Sequence, residues 1–395
     1  MRILVLTPTF LPALGGAELV ILQVCRRLAA RHAVLVLTPY LSQQLISQSG
    51  SNEYDRLQNF AVRHFHDRYT FMKIRGHKVS SGIIPPFSLS AVSALHREIS
   101  AFHPDVINVH YVMPTGLAGF YAQKIRKIPV VITYNGRDVP GPGVPRLWKY
   151  WHRLIGSNSS ALTFVSGYSR DVIFGPGSRK GHVVYNGVDD PAVVSDTQKR
   201  ELRARLNLAD DERVLFALQR LDPLKRIDVL ISSLPIILQH FPNTKLIIGG
   251  KGPDMARLQK VAAELNLADR LHFTGYISQD EIPVYFALAD LFLFHSTYET
   301  FGMVLGEAMN YGKAIVAAEN TAIKEVVDNG KNGILVPTLD AKAFSSAVID
   351  LLDNAEKRHR FGIHGIHKVQ RLFRWDDIAW QYDAIFRKAA ARCRN

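Results

Sequence analysis

Two glutamates frame the run Glu299-Thr-Phe-Gly-Met-Val-Leu-Gly-Glu307, which follows the strand-like DLFLFHS and opens an apolar helix. Glu299 precedes that helix and Glu307 lies about two turns later, so a rise of ~1.5 Å per residue sets them about 12 Å apart. A hydrolytic carboxylate pair needs about 5–5.5 or 6.5–9.5 Å, which disfavours glycoside hydrolysis. The spacing instead offers a helix N-terminus with free amides at Phe301, Gly302 and Met303, where Gly302 keeps the backbone open to close approach. Aligned N–H groups of this kind attract a phosphate. A carboxylate on either side can accept hydrogen bonds from hydroxyls, and a nucleotide sugar carries hydroxyls on both sides of its diphosphate. Taken alone, such a pattern is more often a helix cap and a solvated glutamate.

Other residues add to it. LQRLDPLKRIDVLI places Arg220 just after a strand and Lys225 at the start of the next helix. Both cations can reach a diphosphate and stabilise a leaving group without a metal ion. IIGGKGPD sets Gly249, Gly250 and Gly252 at a strand end, a turn that permits close backbone approach. In the first half, His110 ends the strand-like DVINVH, and VITYNGRDV carries Asn135 and Asp138 beyond the next strand. Asn135 can donate a hydrogen bond to a hydroxyl or a phosphate but cannot act as a base.

The elements that must position these residues follow from hydrophobic pattern. Branched apolar runs at 2–7, 33–38, 105–110, 129–134 and 161–165 read as strands buried on both faces, and 213–218, 244–249, 271–274, 290–294, 313–317 and 333–336 repeat the pattern. With helical segments between them they form βαβ units and hence parallel sheets. We expect an α/β chain of two doubly wound domains, 1–190 and 191–372, with an amphipathic helix over 373–395 that packs back toward the first. Ligands of open parallel sheets bind outside the carboxyl ends of the strands, so two facing sheets suit a transferase with two substrates.

The chain has 395 residues, enough for two domains, and 47% of them are hydrophobic, which excludes disorder as its main state. The two cysteines, Cys25 and Cys393, support neither a disulfide framework nor a zinc site. No apolar run has the length of a membrane span, which implies a protein that is soluble or lies on a membrane surface. Of the net charge of +13, residues 1–190 hold +11, from 21 Lys/Arg against 10 Asp/Glu, so this half should face something acidic. The segment 56–78 interleaves Arg63, Arg68, Lys73, Arg75 and Lys78 with aromatic residues, a mixture suited to a lipid-headgroup surface or a phosphorylated glycan.

The order of motifs resembles the glycosyltransferase family 4 group, retaining glycosyltransferases of GT-B fold similar to glycogen synthase. The matching pieces are PTFLPALGGAE, INVHY, YNGVD, RLDPLKRIDVLI, GGKGPD, TGYISQDEIPVYFALADLFLFHSTYETFGMVLGEAM, KEVVDNGKNGILVP and RWDDIAWQYDAIF. The resemblance implies two Rossmann-like domains facing across a cleft, the second holding a nucleoside-diphosphate sugar, with UDP the expected nucleotide. It implies that Glu299 contacts hydroxyls of the donor sugar and Glu307 the ribose. Arg220 and Lys225 would bind the diphosphate, helped by amides from Thr300, Phe301, Gly302, Met303 and Val304, with Gly250 and Gly252 beside them. Gly15 and Gly16 would line the first domain's side of the donor phosphate. The transfer would retain configuration, with the departing phosphate taking the acceptor proton, and would need neither divalent metal nor cofactor. The acceptor, a glycan or lipid-linked intermediate of the cell envelope, would meet the first domain around Asp138 and the basic surface, at the cytoplasmic face of the membrane. One departure stands out: Asn135 occupies a place where family members often carry histidine.

Rival readings are a nucleotide-sugar epimerase of the same fold, which needs no acceptor, and a donor-binding protein whose catalysis is reduced by Asn135. A dinucleotide fold is disfavoured by the lack of G-x-G-x-x-G after the first strand, and GEAMNYGKA does not satisfy a P-loop. Basic charge alone carries no nucleic-acid reading, since no RNA- or DNA-binding signature accompanies it.

Overall fold

The structure is a computed structural model that describes residues 1–11, 15–40, 58–67, 87–136, 138–139, 141 and 146–392. The chain divides into two compact units, one of Met1–Asn186 with Trp375–Asn395 and one of Gly187–Arg374. The first holds seven parallel strands: β1 (Arg2–Leu6), β2 (Ala33–Pro39), β3 (Ala61–Phe65), β4 (Val106–His110), β5 (Val130–Tyr134), β6 (Ala161–Phe164) and β7 (His182–Val183). The second holds six: β8 (Arg213–Leu218), β9 (Thr244–Gly249), β10 (Leu271–Gly275), β11 (Leu291–Phe294), β12 (Ala314–Ala318) and β13 (Gly333–Val336). Their spatial orders are β3-β2-β1-β4-β5-β6-β7 and β10-β9-β8-β11-β12-β13. Strand order therefore reverses between β1 and β4 in one sheet and between β8 and β11 in the other. A crevice opens at such a switch point, outside the carboxyl ends, because the flanking connections leave in opposite directions.

The strands form where the sequence places them because their runs are buried on both faces. Every residue of β4, β5 and β12 is buried. In the first unit Leu4, Leu6, Ile107, Val109 and Ile132 pack against Ala91, Leu95 and Ile99 of the helix Leu89–Phe102. In the second, Leu215, Ala217, Leu246, Ile248 and Leu293 pack against Leu230, Leu234, Phe344 and Val348. The helix Trp375–Arg392 buries Trp375, Ile378, Tyr382, Ile385 and Phe386, and belongs to the first unit. It is held there by the buried contact of His32 Nε2 with Asp383 Oδ1 at 2.9 Å.

One expectation needs adjustment. The boundary set at 190/191 falls instead after Asn186, because the next residues are tied to the second unit. The amide of Val188 donates to the Phe373 carbonyl at 2.7 Å, and the Asp189 carbonyl accepts from the Asn310 amide nitrogen at 2.8 Å. The part of segment 56–78 that is described contains the edge strand β3, whose exposed Arg63 is ion-paired with Glu98. Arg68, Lys73, Arg75 and Lys78 lie outside the described residues. Among the described residues, no helix is long and apolar enough to cross a membrane.

The glycines after β9 explain how one site loop is held. Gly250 has φ +125°, and a Cβ there would run into the carbonyl oxygen of Gln219, as one at Gly252 would into that of Leu221. Gly250→Ala is expected to combine backbone strain with this collision and lower the unfolding free energy, read from urea denaturation, by about 2 kcal/mol or more. Gly330→Ala should cost about 1 kcal/mol, since its φ of +75° is also left-handed but its Cβ would meet open space. Equal midpoints for the two variants would contradict this packing.

Candidate active site

The carboxyl ends of β8, β11 and β12 converge at the second unit's switch point. After β8 the Asp222 side chain accepts from the Leu224 amide at 3.1 Å, capping a single tight turn, Pro223–Lys225. The Leu224 carbonyl then accepts from the Thr297 amide at 2.8 Å and from its hydroxyl at 3.0 Å. That ties the loop after β8 to the loop after β11. Lys225 Nζ meets Glu299 Oε2 at 2.5 Å, the two side chains being 23% and 16% exposed. The Glu299 amide donates to Thr321 Oγ1 at 3.1 Å, adding the loop after β12. Arg220 reaches outward with its side chain 62% exposed and pairs with Asp222.

Next to this pair Gly302, at φ +83°, caps the helix Met303–Asn310. The Leu305 amide turns back to the Gly302 carbonyl at 3.0 Å, while the amides of Met303 and Val304 have no acceptor among the described residues. Two N–H groups at a helix start, next to the Lys225–Glu299 pair, are suited to an anion. Thr300 donates its amide to Glu299 Oε1 at 3.3 Å. Phe301 is 2% exposed and packs edge-on against Phe373 with ring centres 5.4 Å apart, so its side chain anchors the turn from the core. Glu307 accepts no side-chain hydrogen bond among the described residues. Burial, with a smaller push from Asp189, raises its carboxyl to about 7.

Gly250 and Gly252, expected beside the donor, are pressed against the backbone of Gln219 and Leu221. The Leu221 amide donates to the Lys251 carbonyl at 3.1 Å and the Asp254 amide to the Leu221 carbonyl at 3.1 Å. The close approach that glycine allows is made by the protein's own chain, and it fixes the loop that carries Arg220.

In the first unit His110, Asn135 and Asp138 meet beyond β4 and β5. His110 is 3% exposed, and its Nδ1 lies 3.1 Å from Asn135 Nδ2 and 3.2 Å from Oδ1. Burial takes the imidazole down to about 4, against the hydrogen bond with Asn135, so it is neutral at physiological pH. Asp138, expected on an acceptor surface, is turned inward. It accepts the amides of Asn135 and Gly136, both at 3.0 Å, and of Val112 at 3.3 Å. Burial nevertheless lifts it to about 6. Its work here is to hold the loop that presents Asn135. Gly15 and Gly16 begin the helix Gly16–Leu28 after β1 and are exposed. Sequence reasoning passed over Glu18 in the first turn, which accepts from the Thr9 hydroxyl at 2.5 Å and so shapes that loop. An acid two residues after a Gly-Gly pair was the available signal. Among the described residues no group of three His, Cys, Asp or Glu could hold a metal ion.

Two Rossmann-type parallel sheets, each with polar groups at its switch point, are the architecture of the GT-B fold. The chain belongs to the glycosyltransferase family 4 group: the family described as "Glycosyltransferase Family 4" matches residues 14–190 and "Glycosyl transferases group 1" matches residues 198–368. It is 28% identical to a GDP-mannose-dependent alpha-(1-6)-phosphatidylinositol monomannoside mannosyltransferase of Mycolicibacterium smegmatis, over 94% of each chain. It is 24% identical to N-acetyl-alpha-D-glucosaminyl L-malate synthase of Bacillus anthracis, over 96% of this chain and 95% of that one. The structure of Anabaena HepE in complex with UDP superposes with a TM-score of 0.79 at 22% identity, covering 97% of this chain and 99% of HepE, and so shares the fold.

The state of Glu307 has a measurable consequence. Its folded value of about 7 lies above the ordinary 4.5, so the folded chain binds more protons than the unfolded one between those limits. Stability is then lost as pH rises through that window. Glu307→Gln should raise the denaturation midpoint relative to the native chain at pH 8, with the gain vanishing toward pH 4.5. A gain independent of pH, or a loss at pH 8, would show that the carboxyl is not held in this way.

Proposed function

We propose that this chain transfers a hexosyl group from a nucleoside-diphosphate sugar to a glycan or lipid-linked acceptor, with retention of anomeric configuration and without a divalent metal. The observation that carries the reading is the ion pair of Lys225 and Glu299 beside the open amides of Met303 and Val304. A diphosphate seated on those amides takes Lys225 and Arg220 as counter-charges. Glu299 and Glu307 then accept hydrogen bonds from hydroxyls of the sugar and of the ribose.

In the proposed step the bond from the anomeric carbon to the phosphate oxygen breaks and a bond to the acceptor oxygen forms on the same face. The acceptor proton passes to the departing phosphate oxygen, and Lys225 and Arg220 stabilise the charge that develops there. Support for this proton route comes from the first unit, where neither His110, held near 4, nor Asp138, occupied by three backbone amides, is a strong base. Asn135 orients a hydroxyl or phosphate in place of a histidine.

UDP is the nucleotide we propose. The 28% identical mycobacterial relative is GDP-mannose-dependent, which makes GDP-mannose the second reading. The net +11 of residues 1–190 suits an anionic acceptor or an acidic membrane surface, and we place the reaction in cell-envelope glycan or glycolipid synthesis at the inner face of the membrane.

The direct test incubates the protein with a panel of UDP- and GDP-sugars, with and without cell-envelope lipid and glycan extracts, and assigns the product linkage by NMR. An acceptor-dependent product with the donor's anomeric configuration is expected. An altered sugar nucleotide formed without acceptor would make the protein an epimerase, and inversion would refute the retaining step. Within the same assay Lys225→Ala should lower kcat by about 10²-fold with a small change in donor KM, because it acts on charge formed in the transition state. Glu307→Ala should weaken donor binding by roughly tenfold or more, measured by calorimetry. Unchanged kinetics and binding in both variants would reject the site.

A further inference from the structure

We propose that the first unit carries a separate anion site that takes a phosphate-bearing ligand. It is a cavity of about 360 Å³ where the amino-terminal ends of β6 and β7 meet the helix Trp375–Arg392, lined by Lys180, His182, Lys388 and Arg392. A second recess, of about 490 Å³, shares Gly181, His182, Ile385 and Lys388 with it. None of the described residues lining either recess is Asp or Glu.

The cations here have no acidic partner among the described residues, unlike those nearby, and Lys180 meets the Phe174 ring, 5.3 Å from its centre. On the same helix Arg387 is answered by Asp383 at 3.0 Å, but Lys180, Lys388 and Arg392 have no carboxylate partner among the described residues. Lys388 and Arg392 stand one helical turn apart, a like-charge spacing that is unfavourable unless an anion answers it. His182 is pushed below its ordinary value by burial and by the positive charge of both. Ser157 adds a hydroxyl with no partner among the described residues, and Leu162, Phe174, Ile385 and Ala389 supply an apolar wall.

The position separates this cavity from the loops that hold His110 and Asn135. Strand β6 runs parallel to β5 with Ala161 opposite Val131 and Phe164 opposite Tyr134, so the cavity lies at the other end of the sheet. At ~3.3 Å per residue, about 15 Å of strand stands between the two ends. A bound phosphate would take point-charge contacts from the lysines and a two-pronged contact from Arg392. Its source is either a soluble phosphorylated compound or the phosphate of a lipid headgroup.

Calorimetric titration with inorganic pyrophosphate tests the site in the full-length protein. Binding is expected to weaken by about tenfold or more in Lys388→Ala/Arg392→Ala, each lost charge-assisted contact being worth that much. Ser157→Glu, which puts a carboxylate into the cavity while leaving the helix packing intact, should weaken it likewise. Pyrophosphate bound elsewhere, on the loops of the second unit included, binds all three proteins alike, so the difference reports on this cavity alone. Equal affinity in all three, or no binding to the native chain, overturns the proposal. Co-sedimentation with phosphatidylcholine vesicles, with and without phosphatidic acid, identifies the source. Retention on the acidic vesicles that is lost in the double variant and competed by pyrophosphate points to a lipid headgroup. Pyrophosphate binding without such retention points to a soluble ligand. Retention and pyrophosphate affinity both unaffected by the variants contradict the site.

Discussion

The contact between Lys225 and Glu299 joins loops that are 74 residues apart in sequence, and the rest of the candidate site is arranged around it. Both side chains are mostly buried, so each charge depends on the other. With no ligand, Glu299 keeps the ammonium aimed at the mouth of the second sheet. An arriving diphosphate can share that ammonium, and a sugar hydroxyl can donate to the carboxylate. On the proposed reading the pair keeps in place, before any substrate arrives, two groups whose later partners carry opposite demands.

The contact is possible because of how the chain is wound. Reversal of strand order between β8 and β11 leaves a gap where their two loops come together, and hydrogen bonds from Thr297 to the Leu224 carbonyl close it. Glycine is needed at 250 and 252 so that the loop after β9 can lie against backbone and brace the Arg220 loop. Glu307 shows the cost of such a site. A carboxyl lifted to about 7 by burial is a poor choice for stability and a good one for binding, if ribose hydroxyls supply the hydrogen bonds the protein withholds.

Much of the fold was legible because buried parallel strands write themselves as unbroken branched apolar runs, such as VINVH and AIVAA. The edge strand β3 was not, because AVRHF mixes polar and apolar residues at half-buried positions. In the second unit the cations and the two glutamates were identifiable from type and spacing, but their pairing is a long-range contact that no local pattern encodes. Gly250 and Gly252 show a limit of local reading for a physical reason: a glycine turn reads the same whether a ligand or the protein's own backbone makes the close approach, and here backbone makes one. Asp138 misled similarly, since an acid after a strand can face solvent or cap its own loop, and only the three amides around it decide.

The central claim, that the tip of the helix Met303–Asn310 together with Lys225 receives the diphosphate of an activated sugar, is tested most directly by a crystal structure with a bound nucleoside diphosphate. The account predicts phosphate oxygens within hydrogen-bond distance of the Met303 and Val304 amides and of Lys225 Nζ, with the ribose on Glu307. A nucleotide seated away from that helix, with the Lys225–Glu299 contact undisturbed, would contradict it.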